Sequence, residues 1–163
     1  MGVGAVIVVQ RLKLSSYRLP SRHDTLKLHK RLLETLFEAS TLVGVAFLKL
    51  HPDTPLLYAS GVRYRREGSP ERWKDIPTMI ETGFDDCEGL SIWLAAELRT
   101  RAPNSVGPKR RPAACVALRS TRRDGLFHAV VIDRETRDIF DPSRKLGMGS
   151  ESRKRRRQHH GAR

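Results

Sequence analysis

The sequence predicts an α+β fold, with a helical first half followed by a small antiparallel sheet, and three observations carry that expectation. Leu26, Leu28, Leu32, Leu33, Leu36 and Phe37 recur at helical spacing after Asp24. Cys87 follows Asp85-Asp86, a pair suited to starting another helix. Three extended segments come next, near 113–119, 126–133 and 137–141, the second of them with β-branched content.

Each element has its own reason. Residues 2–13 hold the run Val3 to Val9, too short to span a bilayer and suited to a buried strand. No basic region precedes the run and no small-residue cleavage site follows it, so it is not expected to be a secretory signal. Residues 15–23 form a loop around Pro20. Asp24 then caps a helix to about Ala39. A second helical segment over 40–51 is apolar on most sides (Leu42, Val43, Val45, Phe47, Leu48, Leu50) and ends at Pro52 and Pro55. Residues 56–66 are mixed and contain Tyr58 and Tyr64; Gly68, Ser69 and Pro70 mark a loop. Residues 71–82 read as a short helix or turn leading into Gly83. Asp85 or Asp86 caps a helix to about Arg99, and 101–112 is a loop rich in Pro, Lys and Arg. Three segments result: 1–56, a docking strand and helices; 57–149, the core that carries the chemistry; and 150–163, a basic tail expected to be disordered.

Composition narrows the classes. The chain has 163 residues and a formal net charge of +13. From Glu151 to Arg163 six Lys/Arg face one Glu, a net +5, which leaves +8 on the rest. Such a surface attracts polyanions in a salt-dependent way, and Arg153–Arg157 is where nonspecific nucleic-acid contact is expected. No recognisable nucleic-acid motif accompanies the charge. Two cysteines, Cys87 and Cys115, are too few for a disulfide scaffold, and neither belongs to a CxxC pair, so no structural zinc is expected. No cofactor and no membrane partner are expected either. Cys115 reads as core, and His159-His160 as tail.

The candidate site is built from three residues. A cysteine nucleophile works as the thiolate, which a helix N-terminus stabilises. Cys87 lies in the first turn of its helix and shares a face with Leu90, Leu94 and Leu98. Its neighbours Asp85, Asp86 and Glu88 oppose ionisation. His128 lies near the start of the strand Leu126 to Ile132 and alternates onto one face with Val130 and Ile132. Asp133-Arg134-Glu135-Thr136 reads as a hairpin loop centred on Arg134 and Glu135, which would set Asp141 directly opposite His128. A carboxylate there would hold the imidazole tautomer. Each residue has a plainer reading: an inert core thiol, a histidine at a sheet end, and a turn starter before Pro142. A coupled Cys87–His128 pair predicts a thiolate titrating below the usual value of about 8.5.

The same residues carry a family resemblance. Leu57-Tyr58-Ala59-Ser60-Gly61-Val62-Arg63-Tyr64, Trp73 with Asp75-Ile76-Pro77, Asp86-Cys87-Glu88, Ala95-Ala96-Glu97-Leu98-Arg99, His128-Ala129-Val130-Val131 and Asp141-Pro142-Ser143 with Leu146-Gly147-Met148 are its parts. Together they resemble the transglutaminase-like/papain-like cysteine peptidase superfamily, in the small form encoded among virion genes of tailed bacteriophages. The resemblance implies a papain/transglutaminase-like core and a Cys–His–Asp triad that cleaves amides through an acyl-enzyme. Asp85 and Gly89 depart from it, since a Gly before the Asp-Cys pair and an acid two residues after the Cys are common there. Glu81 stands near where papain-like enzymes place an oxyanion-binding Gln, and an ionised Glu cannot donate. Trp73 or the Cys87 backbone N–H are the remaining oxyanion candidates, with Asp86 beside them as a substrate-side candidate.

Three functions follow as expectations. The first is a cysteine hydrolase acting on a protein or peptide substrate. The second is a catalytically silent virion protein of neck, tail or capsid that keeps the fold, contacts other virion proteins and uses its tail on DNA or an acidic partner. The third is a nucleic-acid-binding accessory protein driven by charge. Host cytoplasm or virion is the expected location.

Overall fold

A computed structural model of the chain describes residues 21–66, 68, 73–101, 113–120 and 127–149. The expected strand over 2–13, most of the 101–112 loop and the basic tail lie outside these residues. The architecture is mixed α and β, with four helices, a short 3-10 turn and two small sheets among the described residues.

Helix α1 runs unbroken over Arg22–Leu50, 29 residues where two segments were expected. No Gly-Pro break separates Ala39 from Ser40, so nothing stops propagation at the join. The N-cap is Ser21 rather than Asp24. The Asp24 N–H donates to Ser21 Oγ at 3.0 Å, and Ser21 Oγ donates back to the Asp24 carboxylate at 2.6 Å, so Asp24 serves in the first turn. The helix ends at His51, directly before Pro52.

After a 3-10 turn over Leu57–Ala59, strand β1 (Arg63–Tyr64) pairs in parallel with β2 (Phe84–Asp85). The sequence reading contains no counterpart of this pair, because two-residue strands are too short to show alternation. Helix α2 (Ile76–Thr82) lies between them in the chain. Asp75 caps it by accepting the Thr78 N–H at 3.0 Å, and Gly83 closes it at φ 74°, in the left-handed region that suits glycine.

Helix α3 (Cys87–Arg101) is the centre of the molecule. Every residue from Gly89 to Glu97 is buried. It packs on α1, on β3 (Ala114–Ser120) and β4 (Phe127–Asp133), and on the short helix α4 (Pro142–Lys145). Where α1 crosses, Gly44 leaves only enough room for Ala96: a Cβ at 44 would stand 3.0 Å from the Ala96 Cβ. One core joins Phe37 and Leu48 of α1, Trp93 and its neighbours on α3, and Val116, Leu118, Ala129 and Val131 of the sheet.

Strands β3, β4 and β5 (Ile139–Phe140) form the antiparallel sheet in that order. Their register bears on the site. Val131 pairs with Phe140 and Ile132 with Ile139, and the Asp133 N–H donates to the Asp138 carbonyl at 3.0 Å. The loop is therefore Arg134 to Arg137, and Asp141 falls opposite Val130, two positions from the register expected. The Asp133 carboxylate stabilises this longer turn by accepting the N–H groups of Glu135 and Thr136, and Arg137 adopts φ 66°.

A buried arginine locks the three layers together. Arg99, 5% exposed, donates two hydrogen bonds to the Glu38 carboxylate of α1 at 2.8 and 2.6 Å, and a third to the Ala114 carbonyl of β3 at 2.6 Å. The Arg99 bond holds the Glu38 carboxyl below its usual range, although burial opposes this. A lowered carboxyl pKa adds stability that is complete above the ordinary value of 4.5 and fades as pH falls through the folded value. Glu38→Ala leaves a buried guanidinium without its carboxylate; because the Glu38 side chain is itself 43% exposed, the cost in urea unfolding at pH 7 should be about 1–2 kcal/mol. The difference from the parent should shrink below about pH 4.

Candidate active site

The start of α3 is fixed by Asp86. Its side chain accepts the Glu88 N–H at 3.2 Å and its carbonyl accepts the Leu90 N–H at 3.3 Å, so of the two expected caps it is Asp86 that fills the role. Asp85 belongs to β2 and is buried, with Lys74 Nζ 3.6 Å from its carboxylate. Cys87 is thus the first residue of the helix, half-buried against the core.

Two contacts define the thiol. Cys87 Sγ lies 2.9 Å from Glu88 Oε2, to which it donates its proton. On the other side it meets the Ala129 backbone N–H of β4, which favours the thiolate. Strand geometry explains why that N–H is open. Asp133 sends its N–H toward β5, so Val131 and Ala129, two and four residues back, point the same way. Pairing with β5 stops at Phe140, opposite Val131, and leaves the Ala129 N–H at an unpaired edge. Cys87 occupies that edge.

His128, the expected base, lies next to Ala129 on β4. Its Nε2 is 3.0 Å from Asp141 Oδ2. The two residues are diagonal rather than directly opposite, but a displacement of two keeps them on one face, and a histidine spans the diagonal. Asp141 is itself held as the N-cap of α4: its Oδ1 accepts the Arg144 N–H at 3.1 Å, and Arg144 Nε is 3.4 Å from Oδ2. A carboxylate only accepts, so Nε2 carries the hydrogen and Nδ1 is left with a lone pair.

The electrostatics oppose a resting thiolate. Burial pushes the Cys87 thiol well above its usual value, the Glu88 charge adds to this and Asp86 adds less, while the Ala129 N–H pulls the other way. The expectation of a thiolate below about 8.5 is therefore corrected: Glu88 lies against the thiol and Asp86 adds to its effect, while Asp85 turns away to Lys74 and Gly89, and this arrangement favours the protonated thiol.

Other named residues fall elsewhere. Trp73 packs against Phe37 with ring centroids 5.1 Å apart and planes tilted by 41°. It lines a cavity of about 230 Å³ with Val43, Phe47 and Ile76, on the α1 side. Glu81 is exposed on α2. Tyr64 and Tyr58, in contrast, come to the site without having been assigned a role. Burial, then the charges of Cys87 and Asp86, with a smaller one from Glu88, hold the Tyr64 phenol above its usual value, against Arg66. Burial, then Glu97 and Asp141, do the same for Tyr58, whose ring lies 3.8 Å from Lys145 Nζ. Their sequence signal was only their place in a stretch of mixed character. Among the described residues no group of three or more His, Cys, Asp or Glu side chains could hold a metal ion, and no helix is long and apolar enough to cross a membrane.

No family model matches the chain, and no curated protein and no solved structure does.

Glu88→Gln removes the negative charge nearest the thiol. Iodoacetamide should then alkylate Cys87 about tenfold faster at pH 8, read by mass spectrometry. An unchanged rate would mean that Glu88 does not restrain the thiol.

Proposed function

We propose that the chain is a cysteine-dependent amide hydrolase of the transglutaminase-like/papain-like kind, with Cys87 as nucleophile, His128 as base and Asp141 as the acid that orients the histidine. The observation that supports it most is the meeting of two contacts on adjacent residues of β4: Asp141 on the His128 ring and the Cys87 thiol on the Ala129 N–H.

Because the thiol rests protonated, His128 acts when substrate arrives. Nδ1 takes the thiol proton as Sγ bonds to the carbonyl carbon of an amide, and the carbonyl π pair moves to oxygen. The tetrahedral intermediate collapses with cleavage of the C–N bond, and the imidazolium returns its proton to the leaving amine. Water, deprotonated by His128, then releases the acyl group from sulfur. Asp141 steadies the imidazolium throughout. The oxyanion is assigned to the Cys87 N–H, one of the first-turn donors that lack an intrahelical partner, and to the Tyr64 phenol, which replaces Trp73 in that role. A protein or peptide substrate and a phage virion or host setting rest on the family resemblance alone.

The second reading is a catalytically silent virion protein of the same fold. The restraint of the thiol by Glu88 and by burial favours it, since an idle cysteine needs no ionisation.

The two readings separate with an activated ester such as p-nitrophenyl acetate. The hydrolase should gain one acetyl group on Cys87 and turn over. His128→Ala should slow acylation by about a hundredfold or more. Acylation that is absent from Cys87, or indifferent to His128, would establish the silent protein. Tyr64→Phe should slow acylation by about tenfold or more, because the ester forms an oxyanion, and leave iodoacetamide alkylation, which forms none, unchanged. Equal loss in both reactions would remove the phenol from the oxyanion site.

A further inference from the structure

Behind Cys87, a buried ion pair of Lys74 and Asp85 packs against the first turn of α3. Asp85 is 1% exposed, and the Lys74 side chain, 12% exposed, places Nζ 3.6 Å from its carboxylate. Lys74 is held from two further directions: Nζ donates to the Phe84 carbonyl at 3.2 Å and lies 4.0 Å from the Phe84 ring centre. The carboxylate has one place to go, the space above Gly89. A Cβ on residue 89 would overlap Asp85 Oδ2, stand 2.7 Å from its Cγ and press on Met79 Sδ at 3.2 Å. The side chain of 85 therefore fills the volume that any side chain at 89 would need. Gly89 is two residues after Cys87 on the same turn, and Asp85 is two residues before it. Whatever fixes these two residues to each other fixes the backbone of Cys87 between them.

We propose that the Lys74–Asp85 pair, seated on Gly89, is a positioning device that holds the Cys87 thiol on the open edge of β4. Lys74 anchors the carboxylate, the carboxylate packs on the bare Cα of 89, and the turn carrying Cys87 cannot rotate away from Ala129. Neither Lys74 nor Asp85 touches the reacting atoms. Positions 85 and 89 are also interchangeable in principle. An aspartate at 89 would project into the volume vacated by Asp85→Gly and present its carboxylate to the same lysine.

This role presupposes Cys87 as the nucleophile, and it is read by a reaction that needs no substrate. The rate of iodoacetamide alkylation of Cys87 is measured across pH in the full chain. Asp85→Asn keeps the shape and removes the charge, and Lys74→Met removes the cation. Each should slow alkylation about tenfold and move the pH midpoint upward, since a displaced thiol loses the Ala129 N–H. Lys74→Arg, which keeps a cation over the Phe84 ring and beside the carboxylate, should stay within about threefold of the parent. Asp85→Gly combined with Gly89→Asp should recover most of the rate lost by either change alone. If Asp85→Asn and Lys74→Met retain the parental rate and midpoint, the device does not exist. A double exchange no better than the product of its single variants would overturn it as well. Where Lys74→Met or a glycine exchange fails to fold by circular dichroism, Asp85→Asn and Lys74→Arg carry the test. Failure of the hydrolase reading shows separately, as ester acylation indifferent to His128.

Discussion

Burial of α3 from Gly89 to Glu97 is the constraint from which the remaining structure follows. A helix whose residues 89–97 are all out of water needs neighbours on every side, and each neighbour takes a different part of its surface. Helix α1 crosses at Gly44 and Ala96, close enough that even a methyl group at 44 would crowd the contact. The sheet covers another side through Val116, Leu118, Ala129 and Val131. The charged groups on this helix that are buried, Glu97 and Arg99, are met within the protein. Arg99 is satisfied by Glu38 and the Ala114 carbonyl, and Glu97 accepts the Leu57 N–H. These bonds join α3 to α1, β3 and the 3-10 turn at defined places, so the layers have little freedom to slide.

The site takes its geometry from the same arrangement. Cys87 begins α3, His128 lies on the strand that covers it, and Asp141 sits where the chain leaves β5 for α4. None of the three is positioned by a long loop. The Ala129 N–H is open to the thiol because β5 is only two residues long, and it is that short because Pro142 follows Asp141 and starts a helix instead. One feature of the chain thus shapes two parts of the site. The end of β5 exposes the N–H at the sheet edge, and the cap of the next helix steadies the carboxylate that meets His128.

The thiol is caught between opposing influences. A helix start and a backbone N–H favour its anion, while burial and Glu88 oppose it more strongly. In the proposed reaction a neighbouring base would matter more than intrinsic acidity, because the proton would leave during the reaction rather than before it. The lone pair on His128 Nδ1, freed by the commitment of Nε2 to Asp141, suits that demand.

Much of this was legible in local pattern. Helical spacing of leucines, β-branched runs, the Asp-Cys start of α3 and the strand alternation that puts His128 and Asp141 on one face depend on residues close in sequence, and the α+β class follows from their order. The hairpin register differed by two because the turn is set by Asp133 and by Arg137 in the left-handed region, a choice that spacing alone does not reveal. The parity survived, and with it the shared face. Long-range packing decided the rest. It sent Trp73 to Phe37, brought Tyr64 toward Cys87, and placed the Asp85 carboxylate over Gly89. Those outcomes depend on which surfaces meet across tens of residues, and no period or propensity within a single segment encodes that meeting.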